Sequence, residues 1–385
     1  MNLLEKLRVD INEIDSELLI LLAKRRRISN LVGENKIKSK KPIRDSAREE
    51  ELLVRLISYG RSLGLDTHYI NQLYRVIIED SVLNQQALLQ SRLNEIADEQ
   101  GCRVAFLGGQ GSYSYLACLK YFSRRSSKII EIGCSSFNQI TSKVETGEAD
   151  YAMLPIENTS SGSINEVYDL LQHTSLSIVG ELTQPVNHCL VGIEEIDVDQ
   201  ITVIYTHPQP HAQCSLFIDE LKDVKIEYCD STSQAFERVR DLNSPTSVAI
   251  GSAEGGKAYA LVAIKEGLAN QKQNFSRFIV VSRKPVQVAQ QIPAKTTIIM
   301  STDQQAGSLV DALICLKNHN LNMSKLESRP ITGNPWQEMF YLDLQGNIND
   351  KNMQQALSEL EQITRFVKVL GSYPSEDVVP VAASI

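Results

Sequence analysis

The stretch Tyr151-Ala152-Met153-Leu154-Pro155-Ile156-Glu157-Asn158-Thr159-Ser160-Ser161-Gly162 begins apolar and ends polar. Its first four residues read as a buried strand. Pro155 is expected to end that strand. A carboxylate, an amide and three hydroxyls come next, and Gly162 closes the run. Asn165 and Glu166 extend the polar edge before a helical pattern begins at Val167. A polar strand-to-helix loop is where an α/β fold offers hydrogen bonds to a small polar ligand. The same residues would also make an ordinary turn with a Ser or Thr cap, so the surrounding chain has to decide.

Upstream, Arg103-Val104-Ala105-Phe106-Leu107 is a short apolar strand. Gly108-Gly109-Gln110-Gly111-Ser112-Tyr113-Ser114 succeeds it, then a helical pattern from Tyr115. A Gly-rich turn at a helix start offers backbone N–H groups to an anion. It lacks the GK[ST] and GxGxxG signatures, so a carboxylate fits it better than a nucleotide. Further strand-like runs fall at 128–132, 177–181, 189–193, 202–205, 225–228, 247–250 and 278–281, with helical patterns between several of them. That alternation predicts an α/β region of about 180 residues, either one domain or two lobes around a cleft.

The whole chain has 385 residues, 42% hydrophobic and 22% charged, enough for roughly two to four domains. A net charge of -8 disfavours nucleic acid as a partner. The first ten residues have no basic segment leading into an apolar one, and no apolar run approaches the ~20 residues of a membrane span. Seven scattered Cys without a CxxC pair fit a reducing cytoplasm. His207 and His211 have the spacing of helical metal ligands. Pro208 and Pro210 are expected to prevent a helix there, so no metal and no cofactor are expected.

Toward the N-terminus, Leu3, Leu7, Ile11, Ile14, Leu18, Leu21, Ile28 and Leu31 recur at helical spacing with no Gly before Gly33 and no Pro before Pro42. This predicts one helix of over thirty residues. Shorter helices are expected at 46–63, capped by Asp45 or Ser46, and at 67–97, capped by Asp66 or Thr67. So long a helix in so small a module is expected to bury its stripe against a second copy. Arg25 and Lys36 share a face roughly 16 Å apart, while Arg8 lies about 25 Å from Arg25 along the axis. Only an antiparallel partner helix would bring Arg8 to the same pocket.

The pattern Leu7-Arg8-x-x-Ile11-x-x-x-Asp15, Arg25-Arg26, Val32-Gly33-x-x-Lys36, Pro42-x-Arg44-Asp45-x-x-Arg48-Glu49 and Asp80-Ser81-x-x-x-Gln85 resembles the all-helical chorismate mutase family. That resemblance implies an intertwined helical homodimer. It implies that Arg8 of the partner subunit, Arg25 and Arg48 hold the carboxylates of chorismate. Lys36 and Gln85 would bond the ether oxygen, Asp45 and Glu49 the ring hydroxyl, and Ser81 would line the pocket. A Claisen rearrangement suits such a set, since it needs a held conformer and donors at one oxygen rather than a nucleophile.

Asn187-His188-Cys189-Leu190, Thr206-His207-Pro208-Gln209-Pro210, Gln213-Cys214, Ser231-Thr232-Ser233, Gly255-Gly256-x-x-Tyr259 and Asn274-Phe275-Ser276-Arg277-Phe278 join the two loops above. Together they resemble the prephenate dehydratase family. The resemblance implies two α/β lobes of the periplasmic-binding-protein kind with substrate in the cleft. It implies that prephenate loses carbon dioxide and its ring hydroxyl. Ser276 stands at the family's catalytic Thr and keeps the hydroxyl. A desolvated Glu157 is the stronger acid, and both are candidate proton donors. Asn158 and Gln213 are expected amide contacts, with Thr206 and Arg277 also at the substrate.

Pro285 to Pro293 reads as a linker. Beyond it, strands and helices are expected in βαββαβ order, the ferredoxin-like pattern. Gly307-Ser308-Leu309-Val310, Glu327-Ser328-Arg329-Pro330 and Gly333-Asn334-Pro335-Trp336 resemble an ACT regulatory domain. That resemblance implies L-phenylalanine as effector, held near Gly307, Ser308, Leu309, Val310, Glu327, Ser328, Arg329, Pro330 and Trp336. The sequence thus predicts a multidomain cytoplasmic enzyme: an all-α mutase module (1–97), a two-lobed α/β dehydratase module (101–285) and an α+β ferredoxin-like ACT module (295–385). Two rivals are a dehydratase whose helices only dimerise and a two-lobed binding protein without catalysis.

Overall fold

The computed structural model describes residues 3–39, 41–94, 101–125, 128–221, 223–303, 305–331 and 337–376. The chain divides into two compact units. One holds the N-terminal helices, α1 (Leu3–Ser39), α2 (Ser46–Ser62) and α3 (Thr67–Leu93). Asp45 and Asp66 cap α2 and α3 by accepting from the N–H groups of Arg48 and Tyr69. Each cap satisfies a donor that has no helical partner. Gly33 is the buried residue of α1, because its missing side chain lets α3 come close. A Cβ there would lie 2.9 Å from Gln85 Cγ.

Leu3, Leu7, Ile11, Ile14, Leu18, Leu21, Ile28 and Leu31 are all exposed on the single chain. The stripe that dictates α1 is therefore not buried by α2 or α3. Pro285 to Pro293 is not a free connector, because Gln287–Pro293 packs with the helical unit. Asn94 Nδ2 donates to Gln287 O at 3.0 Å, and Gln287 N donates to Asn94 Oδ1 at 2.8 Å. Val288 and Ile292 are buried.

The second unit starts with an α/β lobe: β1 (Cys102–Leu107), α4 (Tyr113–Phe122), β2 (Ile129–Cys134), α5 (Phe137–Glu145), β3 (Tyr151–Asn158), β4 (Gly162–Ser163), α6 (Asn165–His173) and β5 (Ser177–Pro185). The chain then crosses to a second lobe made of β6 (Cys189–Gly192), β7 (Val203–Thr206), α7 (Pro208–Gln213), α8 (Ser215–Asp219), β8 (Lys225–Tyr228), α9 (Thr232–Leu242), β9 (Ser247–Gly251), α10 (Ala253–Lys257) and β10 (Val262–Lys265). It returns through β11 (Phe275–Ser282), which inserts antiparallel between β3 and β5. The sheet orders are β2-β1-β3-β11-β5 and β10-β6-β9-β7-β8.

Pro155 does not end its strand. β3 continues to Asn158, and the register shifts opposite Arg277 and Phe278, leaving Ile156 as the extra residue. A bulge is where a strand accommodates a proline that cannot donate. After Asn158 the chain turns in a short hairpin into β4 rather than a strand-to-helix loop, and α6 starts at Asn165 instead of Val167. Pro208 and Pro210 likewise do not prevent a helix. They sit in the first turn of α7, where N–H groups have no helical partner to lose.

The unit ends with β12 (Ala294–Ser301), α11 (Ser308–Asn318), β13 (Asn322–Pro330), β14 (Glu338–Gln345), α12 (Lys351–Ile363) and β15 (Phe366–Pro374). The βαββαβ order forms an antiparallel sheet, β13-β14-β12-β15. Helices α11 and α12 cover one face through Ala312, Leu316, Met353 and Leu360. The other face presents Ile299, Tyr341, Leu370 and Tyr373 to the core of the first lobe. Gly371 allows that approach, since a Cβ there would lie 2.1 Å from Ile178 O.

Candidate functional site

A cavity of about 550 Å³ opens between the two lobes, a size suited to a small ligand. Its walls come from the C-terminal ends of the parallel strands and the helix starts beyond them, where open α/β sheets bind ligands. Leu107 and Ser112–Ser114 lie between β1 and α4, Ser135 and Ser136 before α5, His207 before α7, and Asp230 and Ser231 before α9. Among the described lining residues there is no Lys or Arg. Partial positive charge comes instead from the N-termini of α4, α5, α6 and α9, which all face the cavity, with the carboxylates of Glu166 and Asp230 beside the last two.

Asn158 organises the floor. Its Nδ2 donates to Ser276 Oγ at 3.0 Å and to Asn274 Oδ1 at 2.7 Å. Its Oδ1 accepts from the N–H groups of Ser160 and Ser161 and from Gln213 Nε2 at 3.3 Å. Gln213 Nε2 also donates to Ser161 Oγ at 2.7 Å. Gln213 Oε1 accepts from Asn274 Nδ2 at 2.9 Å and lies 2.7 Å from His188 Nε2. His188 therefore carries its proton on Nε2, leaving Nδ1 to face the Tyr113 hydroxyl at 3.1 Å. Burial holds the His188 pKa below its usual value, against the Gln213 bond. The sequence motif contains His188 without assigning it a role; its burial beside Gln213 depends on chain segments far apart in sequence.

Several expected site residues are elsewhere. Glu157 alternates with Asn158 along β3 and faces away from the cavity. Lys325 Nζ lies 2.7 Å from Glu157 Oε2, and Arg277 Nη1 lies 3.2 Å from Oε1. Burial would raise the Glu157 pKa, but the Lys325 bond and the Arg277 charge outweigh it and hold it low. Glu157 is thus a paired carboxylate rather than a desolvated proton donor. Arg277 sits outside the cavity, paired with Glu157, Glu181 and Asp343. Thr206 is fully buried, and its hydroxyl donates to His207 O. In the Gly-rich turn, Gly109 N donates to Ser233 Oγ, so that N–H joins the lobes rather than an anion. His207 Nδ1 accepts from Gln209 N, and His211 faces Tyr228, so the two histidines do not converge.

In the helical unit, Arg25 Nη1 donates to Ser81 Oγ and to Ile77 O. Burial lowers the Arg25 pKa, with Tyr74 and Asp80 opposing. Gln85 Nε2 donates to Ser29 O and Oγ, while its buried Oε1 has no hydrogen-bond partner among the described residues. Lys36 Nζ donates to Ile43 O. Glu49 pairs with Arg44 at 3.3 Å. Arg48 turns outward to Glu51, and Arg8 is exposed. A single chain therefore gathers Arg25, Ser81 and Gln85 across α1 and α3, and leaves Arg8 and Arg48 outside that group.

In the C-terminal module, Gly307 (φ 92°) precedes α11 and Val310 is exposed. Glu327 accepts from Ser163 Oγ at 2.7 Å, and Arg329 pairs with Asp169 at 2.9 Å, so both engage the first lobe. Trp336 and its Gly-Asn-Pro neighbours lie outside the described residues. Cys315, His319 and Glu359 could hold a metal ion by geometry. The His319–Glu359 pair is 2.7 Å apart, and the buried Cys315 thiol, pushed up to about 11, donates to Ala356 O. No helix among the described residues is long and apolar enough to cross a membrane.

These two sites fall within two recognised families. Residues 7–86 match chorismate mutase type II, and residues 104–286 match prephenate dehydratase. Over 379 residues the chain is 56% identical to a bifunctional chorismate mutase/prephenate dehydratase of Enterobacter agglomerans, covering 98% of both chains. It is 55% identical to the protein of that name from Escherichia coli K12, over 99% of this chain and 98% of that one. Among solved structures it resembles prephenate dehydratase of Arthrobacter aurescens in complex with L-Phe, at TM-score 0.64 and 28% identity, covering 73% of this chain and 92% of that one. The chain belongs to the bifunctional chorismate mutase/prephenate dehydratase family. It rearranges chorismate to prephenate and converts prephenate to phenylpyruvate.

Proposed function

We propose that Ser276 is the reacting hydroxyl of the dehydratase, in a cleft that binds prephenate through helix N-termini and amides. The observation that carries this reading is the Asn158 bond, in which Ser276 Oγ is the acceptor. Its own hydrogen is then available to the departing ring hydroxyl, and N–H donation to the oxygen makes that O–H a better donor. Asn158 and Gln213 orient the substrate, and the α4, α5 and α9 N-termini meet its carboxylates. The ring carboxylate leaves as carbon dioxide, its bonding pair completes the aromatic ring, and the ring C–O bond breaks to release hydroxide, which the Ser276 O–H stabilises by a hydrogen bond while keeping its own proton. Ser276→Ala is the test: it should abolish phenylpyruvate formation from prephenate with prephenate formation from chorismate retained. Persisting dehydratase turnover rejects the assignment.

The same reading covers the mutase. Arg25, with Arg48 and the partner subunit's Arg8, holds the carboxylates of chorismate. Lys36 and Gln85 bond the ether oxygen, Ser81 lines the pocket, and Asp45 and Glu49 meet the ring hydroxyl. The exposed stripe of α1 supports a homodimer through these helices. Burying each such side chain contributes about 1.5–3 kcal/mol. The eight are already partly buried on the single chain, so each gains less than that, but eight on each of two chains still outweigh the ~4–15 kcal/mol cost of association. A dimer in sedimentation that is lost on Ile14→Asp tests it.

Three modules at 1–97, 101–285 and 295–385 accommodate these roles. The last is an ACT-type regulatory domain binding L-phenylalanine near Gly307, Ser308, Leu309 and Val310. The left-handed Gly307 and the exposed Val310 support an amino-acid site there. Inhibition of the dehydratase by millimolar L-phenylalanine but not L-aspartate is the expected result. A cytoplasmic setting agrees with seven free cysteines.

A further inference from the structure

Ser276 pairs with Asn158 across β11 and β3, and Arg277 pairs with Glu157 one residue along. Side chains alternate on a strand, so the first pair faces the cavity and the second faces the C-terminal module. The two residues that this reading makes chemical are thus backbone neighbours of two charges held from behind.

The holders are unusually well placed. Arg277 Nη1 lies 2.6 Å from Asp343 Oδ2, and Arg277 Nη2 lies 2.8 Å from Glu181 Oε2. Side-chain exposure is 14% for Arg277, 6% for Asp343 and 4% for Glu181. Lys295 Nζ pairs with Glu181 Oε1 at 2.8 Å, and Lys325 Nζ with Glu157 Oε2 at 2.7 Å. Thr297 Oγ1 donates to Asp343 Oδ1 at 2.6 Å, which fixes that carboxylate. Lys325 and Asp343 are register partners on β13 and β14. Three cations, Arg277, Lys295 and Lys325, therefore meet four carboxylates, Glu157, Glu181, Asp343 and, 3.3 Å from Lys325, Glu327, with none of the seven lining the cavity. Packing alone does not require such a cluster, because apolar residues of similar volume stabilise as well or better. What a planar guanidinium held by three carboxylates adds is fixed direction.

We infer that Lys325 and Asp343 of the C-terminal module are positioning residues for the dehydratase, fixing the Glu157–Arg277 pair and with it Asn158 and Ser276. The C-terminal sheet is then part of the machinery that sets the cleft floor. The inference rests on Ser276 as that hydroxyl.

The experiment uses the full-length enzyme with Lys325→Met, Asp343→Asn and Lys325→Arg. It reads kcat and KM for prephenate, mutase turnover and thermal midpoint. Lys325→Met and Asp343→Asn should lower dehydratase kcat at least tenfold, with KM within threefold and mutase turnover within twofold. Lys325→Arg should keep at least half the native kcat. If Lys325→Met or Asp343→Asn does not fold, Glu157→Gln and Glu327→Gln combined with Lys325→Met remove Lys325 together with both of its carboxylates, and this variant should show the same fall in kcat. A folded variant set with native kcat overturns the inference. So does a Lys325→Arg enzyme no better than Lys325→Met, since packing would then explain the loss. Native kcat here with an inactive Ser276→Ala overturns the positioning role alone; an active Ser276→Ala overturns the reading beneath it.

Discussion

Asn158 Nδ2 lies 3.0 Å from Ser276 Oγ, joining β3 to β11 at the floor of the interlobe cavity. The bond polarises the hydroxyl and locks its oxygen. Asn158→Ala should lower dehydratase kcat by about 10²–10³-fold, the usual effect of removing one preorganised donor. Ser276→Thr should restore or retain turnover, since it keeps the oxygen and stiffens χ1. Steady-state rates on prephenate check both.

Lys36 is half-buried and its ammonium is held by Ile43 O. Charge develops on the ether oxygen during the rearrangement, so Lys36→Ala should cost several kcal/mol of barrier, about 10²–10³-fold in mutase kcat. Dehydratase turnover should be unchanged. Assays from chorismate and from prephenate separate the two.

Gln85 Oε1 is buried without a hydrogen-bond partner among the described residues. An unmet buried acceptor costs roughly 1–3 kcal/mol. Gln85→Met, of similar volume, removes that acceptor together with the two bonds to Ser29, so the two effects offset and the stability of the helical unit should change little while mutase kcat falls at least tenfold. Melting curves and mutase rates on the same variant check this. Equal loss of both would place Gln85 in packing alone.

His188 is buried with a lowered pKa, so below about pH 6.5 the unfolded chain takes up a proton that the folded one resists. Stability should be full above that pH and fall below it, by up to ~1.4 kcal/mol per pH unit until the folded pKa is reached. His207, also lowered by burial, acts in the same direction. Melts of native and His188→Asn enzyme from pH 5 to 8 should differ in that slope.

Local chemistry made much of the chain legible beforehand. The α1 stripe, the Asp45 and Asp66 caps and the βαββαβ order depend on neighbours within a few turns, and each stands where the residues put it. Motifs brought Asn158, Gln213 and Ser276 to one cavity. Pro155 and Pro208 misled because a proline's cost depends on whether its N–H has a partner, which a bulge or a first helical turn removes.

The sequence by itself determined which residue types exist to bind and react, since periodicity and caps are short-range. Only the tertiary structure decided which way each faces. A strand alternates sides at every residue, so neighbours as close as Glu157 and Asn158, or Arg277 and Ser276, serve opposite surfaces. The bulge at Ile156 and the sheet behind it, supplied by residues over a hundred positions away, settle which of them meets substrate.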